Sequence, residues 1–419
     1  MAASSHNHAS FQSRLDYIQQ LLLHRLGFSV ETKITPIQYD PECPFKYNNF
    51  IYCLSLPSGT KFSDGQDEAQ AQARQPGCVP IPPETERLIL RLSNPDAAGM
   101  HPETRVQNEV AILSLASQAL GHIEPRVVPR VFAWGAAASH GHLGWILQEH
   151  MPGEPLAEPF GGTMSLDQKK GILAQMATLL KALQDYPLPE SIKGWGGVTF
   201  DNDSGAIVSA PMTSVGAGPW SSLEESFRGR LEVALSKADT NPHLQGWRAN
   251  GVRDRIDAFI ERGLPEQFSR LASKRDRAII HADFTPDNLH YDPATGRITA
   301  LLDYDFASIL HPAYEFFRSF ATNGGRLSGW SADHEAAAIR DAKLTGQFPS
   351  PLPAPAASAN GPGVDWELAL AWEDELQRLQ VKRPSTIPGI EGLADVDEVL
   401  GSLVPWRLTN EGLFEDEPG

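Results

Sequence analysis

Cysteine, positive charge and long apolar runs are all scarce in this chain, and each scarcity removes a class of protein. Three cysteines in 419 residues, Cys43, Cys53 and Cys78, are an odd number with no C-x-x-C spacing. A disulfide framework or a zinc knuckle is therefore not expected, and a reducing compartment is the default. Lys and Arg number 35 against 52 Asp and Glu, a formal net charge of -17. Nucleic acid is not an expected partner, because phosphate backbones require a basic face. A cationic small molecule is compatible with this charge, as is plain solubility. The triplet Leu21-Leu22-Leu23 is followed at once by His24 and Arg25, far too short a run to span a bilayer. The first ten residues are small and polar, unlike the apolar stretch of a secretory leader. Neither membrane insertion nor secretion is expected, which leaves the cytoplasm.

What is present is a globular composition, 41% hydrophobic and 21% charged, in a chain long enough for two lobes. Phe11, Leu15, Ile18, Leu22 and Leu26 recur at helical spacing and stop at Gly27. Short strand-like runs follow at Phe50 to Leu56, Leu88 to Leu92, Val127 to Trp134 and Trp145 to Glu149, with a helical period over Thr104 to Leu120. Residues 57–86, rich in Gly, Gln, Pro and charge, read as a long exposed insertion in a hairpin. Met151 to Pro155 then breaks the pattern with proline and glycine, so the expected division is an N-terminal lobe over 1–150 and a mostly helical lobe over 151–419. In the second lobe helices are expected from Ser165 to Leu183, Leu223 to Leu235, Val252 to Leu271 and Trp366 to Leu379, with a surface loop over 201–221 and a low-complexity loop over 348–363. The expected fold is α+β, a small β-rich lobe on a larger helical one.

The chemistry is concentrated in Ile279-Ile280-His281-Ala282-Asp283-Phe284-Thr285-Pro286-Asp287-Asn288-Leu289. A β run ends at a histidine, an aspartate follows two residues on, and an asparagine five after that. This is the Asp-x-x-x-x-Asn spacing of a kinase catalytic loop. Fifteen residues beyond Asn288, a second β run ends at Leu302-Asp303-Tyr304-Asp305. Asn288 and Asp303 together make a pair of hard oxygens suited to Mg²⁺, and Asp283 is the carboxylate that would take the proton of an acceptor hydroxyl. His281 is assigned a structural role, bracing the loop. A zinc site from His281, Asp283 and His290 lacks a recognised ligand spacing.

These segments resemble the aminoglycoside phosphotransferase/choline kinase-like family, whose loop reads roughly His-Gly-Asp-x-x-x-x-Asn before an Ile-Asp-Trp-Glu-like strand end. Trp145 to Leu156 is similar to that family's interlobe hinge, and His311 to Glu315 to its stretch after the metal aspartate. Lys382 to Thr386 and Pro405 to Leu408 resemble its fungal branch. The resemblance implies a protein-kinase-like fold and transfer of the γ-phosphate of ATP, with Mg²⁺, to a hydroxyl of a small molecule. It assigns Asp283 as the catalytic aspartate and Asn288 and Asp303 as metal ligands. Arg91 takes the place of the phosphate-binding lysine, with Glu109 as its helical partner, and the backbone of Glu149, His150 and Met151 meets the adenine edge. Asp305 and Glu315, with the aromatic group Tyr314, Phe316 and Phe317, are candidates to line a substrate pocket for an amine; Trp195 and Trp220 are candidates for its wall. Oligomeric state is not readable.

Two residues and one segment depart from the family's pattern. Arginine replaces lysine at 91, and its planar fork bonds differently from an ammonium. The phosphate-covering segment Pro44 to Phe50 has no glycine, so its backbone approaches phosphates less closely. Ala282 stands where glycine is usual. These departures leave a nucleotide-binding protein with little turnover as the alternative. A protein serine/threonine kinase is disfavoured because Tyr304-Asp305 follows Asp303 in place of Phe-Gly.

Overall fold

Alternation along short strands creates the first lobe. The computed structural model describes residues 7–37, 43, 46–60, 62, 74–97, 99–137, 143–242, 246–354, 357–358 and 361–403. Strands β1 (Lys33–Ile37), β2 (Asn49–Ser55), β3 (Arg87–Ser93), β4 (Val131–Gly135) and β5 (Trp145–Glu149) make one antiparallel sheet in the order β1-β2-β3-β5-β4. Phe50, Tyr52 and Leu54 of β2 bury on one face with Leu88, Leu90 and Leu92 of β3. Helix α1 (Phe11–Gln20), prolonged by a π-turn over Leu21–Arg25 and stopped at Gly27 with φ of 68°, covers that face through Ile18, Leu21 and Leu22. Successive strand residues point to opposite faces. Arg91, between Leu90 and Leu92, therefore projects to the other side.

That other side receives helix α2 (Pro102–Ala119), which starts with Pro at its first turn, where a missing N–H costs nothing. It buries Arg105, Asn108 and Glu109 as well as Val106, Val110 and Leu113, because it is enclosed between the sheet and the second lobe. Asn108 bonds both ways: its Nδ2 donates to Ala307 O (3.0 Å) and its Oδ1 accepts from Val198 N–H (2.8 Å).

In the second lobe helix α3 (Leu166–Asp185) opens on a capping box between Ser165 and Gln168 and buries Ile172, Met176, Leu179 and Leu183. Helix α4 (Leu223–Thr240) is capped by Ser222. Strand β6 (Ala278–Ile280) pairs with β9 (Ser308–Leu310), and β7 (Leu289–Asp292) with β8 (Arg297–Leu301). Helices α5 (Ala313–Arg318), α6 (Trp366–Arg378) and α7 (Ile390–Leu403) complete the part that matters for the site. The chain is α+β and two-lobed, as expected.

Several local expectations are corrected. Residues 201–221 are not simply a loop: Ile207–Ala210 pairs with Gly197–Phe200 as a hairpin, its alternation hidden by Gly and Ser. The helix expected over 252–271 is three pieces, Val252–Ala258, a π-turn Phe259–Gly263 and Leu264–Ser269. Strand β1, helix α7 and a helix over His334–Thr345 had no expectation. Pro44 and Phe45, residues 61 and 63–73 of the insertion, and the Pro405 to Leu408 segment lie outside the described residues. Among the described residues no helix is long and apolar enough to cross a membrane.

Candidate active site

Strand β6 delivers the chain to His281, which is fully buried between Phe284 and Tyr304, with ring centroids 5.9 and 4.6 Å away. Burial pushes its imidazole down to about 4, so the ring is neutral near pH 7. Leu302 O lies 2.9 Å from Nε2 and can only accept, which puts the proton on Nε2. The histidine thus ties the catalytic loop to the end of β8. Ala282 has φ of 65°, a left-handed conformation that costs a residue with a Cβ about 1–2 kcal/mol. Hydrogen bonds on either side hold it there. Glu315 accepts N–H bonds from His281 (2.7 Å) and Ala282 (2.9 Å) and the Ser319 hydroxyl (2.6 Å), while Ser319 Oγ accepts the Phe284 N–H (2.8 Å).

Asp283 and Asn288 are locked together. Asn288 Nδ2 donates to both Asp283 O and Asp283 Oδ2, each at 2.8 Å. With both amide hydrogens engaged, Asn288 Oδ1 is left as a free acceptor. Burial raises the Asp283 carboxyl above its ordinary value, against the pull of Asn288 and Arg318, which makes it a better proton acceptor. Leu302 N–H bonds Asn288 O at 2.8 Å, so the two strand ends are adjacent and Asp303 follows beside Asn288.

Arg91 of the first lobe reaches down from β3. Its Nη1 is 2.6 Å from Glu109 Oε1 and its Nη2 is 2.8 Å from Asp303 Oδ1. Asp303, at φ of 61°, is 36% exposed at its side chain and its Oδ2 has no donor among the described residues. Glu109, Asp303 and Asp305 bring an oxygen each within 4.8 Å of one another. Three carboxyl groups share the guanidiniums of Arg91 and Arg105, and burial, with the Asp305 and Asp303 charges, raises Glu109 against the pull of Arg91. Within this group Asp303 alone is open. Asp303 Oδ2 and Asn288 Oδ1 are two hard oxygens on adjacent strand ends, a donor set that fits Mg²⁺.

Strand β5 ends with Glu149. Its carboxylate is taken by Arg126 (2.5 and 2.7 Å) and Arg130 (2.9 and 3.2 Å). Partial burial pushes this group up, but those hydrogen bonds hold it at about 2. His150 is half-buried and Met151 buried, and the Met151 N–H has no acceptor among the described residues. An open groove of ≈ 610 Å³ between Trp247, Ile256, Trp330 and Val399 contains none of these groups.

Two expected substrate residues are corrected. Asp305 has a side chain 0% exposed, because Arg105 Nη2 and Asn49 Nδ2 bond its Oδ2 at 2.8 and 2.7 Å. Glu315 is 0% exposed, occupied by the catalytic-loop amides. Neither can face a substrate. Phe316 and Phe317 are buried core, and Trp195 is buried where it bridges Trp220. Three functional residues escaped the sequence analysis. Arg105 and Asn49 offered no signal, since each is an ordinary helix or strand residue until its partner arrives. Arg318 had one: a cation seven residues after His311, one helical turn beyond Glu315.

Residues 81–348 match the phosphotransferase enzyme family. An aminoglycoside 3'-phosphotransferase of Streptomyces fradiae is 27% identical over 176 residues, 42% of this chain and 51% of that protein. The chain thus spans about half the length of the curated relative it matches. Among solved structures, an ethanolamine kinase of Plasmodium vivax is 12% identical with a TM-score of 0.49, covering 99% of this chain and 87% of that one. A thermostable mutant of aminoglycoside phosphotransferase APH(4)-Ia in its apo form is 16% identical with a TM-score of 0.42, covering 95% and 94%.

Proposed function

Because the chain belongs to the phosphotransferase enzyme family, we propose that it transfers the γ-phosphate of ATP to a hydroxyl of a small molecule, as a cytoplasmic enzyme. The observation that carries this is the Asp283–Asn288 lock, which fixes a carboxylate of raised basicity while freeing an amide oxygen beside Asp303. Asp283 orients the acceptor hydroxyl and takes its proton as the oxygen attacks the γ-phosphorus. The bond from that phosphorus to the β–γ bridging oxygen breaks, and ADP leaves with the electron pair. Asn288 and Asp303 would hold Mg²⁺, which supplies charge neutralisation on the phosphate oxygens when bound. Arg91, which pairs with Glu109 and Asp303, is the cation that would meet the phosphates. The Met151 N–H is a ready donor for the adenine edge.

The test has two stages. Mg-ATP at a hundredfold excess over its Kd should stabilise the protein by about 2.7 kcal/mol, and Asp303→Ala should abolish the shift. Asp283→Asn should then keep nucleotide binding and lose transfer by about 10²–10⁴-fold, the worth of a positioned general base. No thermal shift at millimolar Mg-ATP sinks the proposal. One observation favours a second reading: Arg91 pairs directly with Asp303, the open metal carboxylate, which would suit a protein that binds nucleotide without turning it over. In that case Asp283→Asn changes nothing.

A further inference from the structure

The acidic lining expected beside Asp283 is reduced to the exposed Asp287. The two carboxylates meant for a cationic acceptor, Asp305 and Glu315, are sealed inside the protein. What faces outward there is Arg318. On helix α5, Glu315, Arg318 and Ser319 share one face, being three and four residues apart. Glu315 and Ser319 both bond the backbone of the catalytic loop, so that face is turned to the loop. Arg318 extends from it into solvent and is the cation that acts on the Asp283 carboxylate.

Arg318 has neither an ion pair within 4.0 Å nor a hydrogen bond among the described residues; the Phe306 ring lies 6.0 Å away, and Tyr314, Asp397 and Asp283 are the groups that act on its charge. Behind it stands a buried basic group. Arg230 is 4% exposed, stacks 4.1 Å over Phe227 and 4.8 Å over Tyr314, and has Nη1 and Nη2 without a hydrogen-bond acceptor. Among the described residues its one ionic neighbour, Asp397 of α7, is 4.0 Å away, and that carboxylate also acts on Arg318 and the exposed Arg326. One half-buried acid cannot satisfy three guanidiniums. Nearby, Asp287 points outward and Glu398 is engaged by the Gly329 N–H.

We infer that Arg318 binds an oxyanion of the acceptor, so that the molecule phosphorylated is a hydroxyl compound carrying a carboxylate or a phosphate and not an amine. An ammonium placed beside Asp283 would meet the unpaired guanidinium first, whereas an oxyanion completes it with charge-assisted hydrogen bonds. This rests on the phosphotransfer proposal for the class of reaction, but the anion site itself can be read without turnover.

The experiment titrates glycerate and glycerol 3-phosphate, against choline and kanamycin, into wild type, Arg318→Lys and Arg318→Gln, each with and without Mg-ADP. Melting temperature is the first readout and phosphate transfer from ATP to the same four compounds the second. At least one of the anions should raise the melting temperature of wild type; which one does so distinguishes carboxylate from phosphate. Arg318→Gln should weaken that binding about ten- to a hundredfold, the loss of one charged hydrogen bond, with Arg318→Lys between and the Mg-ADP shift unchanged in both. The inference is overturned if neither anion shifts wild type, if transfer goes only to choline or kanamycin, or if Arg318→Gln weakens Mg-ADP and not the anion. Failure of Mg-ADP to shift any variant sinks the phosphotransfer proposal instead, while the anion shift still decides the role of Arg318.

Discussion

At the scale of single residues, an arginine at 91 has a geometric reason. The fork of Arg91 spans Glu109 and Asp303 simultaneously, at 2.6 and 2.8 Å, which a single ammonium cannot reproduce with the same reach. Arg91→Lys should therefore retain one of the two pairs and lose about 1–3 kcal/mol, the cost of a buried charged group left short of a partner. Arg91→Ala should cost about 3–5 kcal/mol, because Glu109 and its neighbours lose their main cation. Urea denaturation of the pair measures both. Equal stability of Arg91→Lys and wild type would mean that the Asp303 contact contributes nothing in solution.

At the scale of elements, the site depends on supports that lie far away in sequence. Helix α5 holds the catalytic loop through Glu315, thirty-four and thirty-three residues from the amides it bonds. Glu315→Ala would orphan two buried N–H groups and the Ser319 hydroxyl, at about 1–3 kcal/mol for each unsatisfied group. We expect a loss above about 3 kcal/mol with a fall in transfer, checked by calorimetry and turnover on the same sample. The end of β5 offers a pH-dependent test. Glu149 is held at about 2 from an ordinary 4.5 by Arg126 and Arg130, so its stabilisation is present above about pH 4.5 and lost as pH falls toward 2. Both arginines are over one-third exposed, at 37% and 36%. Screening therefore reduces the effect to about 1–2 kcal/mol. Glu149→Gln should be less stable than wild type by that amount at pH 7, with the gap closing in acid; an equal gap at pH 3 would rule out the ion pairs as its source. These supports also mark the limit of what the sequence discloses. Asp283, Asn288 and Asp303 stand within one strand–loop–strand unit, so their spacing alone brings them together. Asp305 and Glu315 were legible as acids near that unit but not as buried ones, because burial is decided by Arg105, Asn49 and the loop amides, which arrive from elsewhere in the chain. Helices α2 and α3 were readable from their apolar faces, while the Gly197–Phe200 hairpin with Ile207–Ala210 was not, being short and rich in small residues.

At the scale of the whole molecule, Asp305 is the acid that fastens the lobes. It belongs to the second lobe, yet its partners Asn49, Arg91 and Arg105 come from β2, β3 and α2 of the first. Burial pushes its carboxyl up, but Arg105 and Arg91 outweigh that and hold it below its ordinary value. The tie is therefore a charged one, shielded from solvent, and salt should weaken it little. Asp305→Asn removes the charge and turns an NH₂ toward groups that only donate. Breaking a buried pair in this way costs about 3–5 kcal/mol, since it strands the opposite charge. The cost should fall on the contact between lobes, across which Asn108, bonded to Ala307 O and Val198 N–H, and the Arg91–Asp303 pair remain as polar links. Hydrogen exchange should then quicken over β3 and α2 and stay nearly unchanged along α3, whose buried face packs within the second lobe. Uniform acceleration across both lobes would mean that they unfold as a single unit and that Asp305 is one core contact among many.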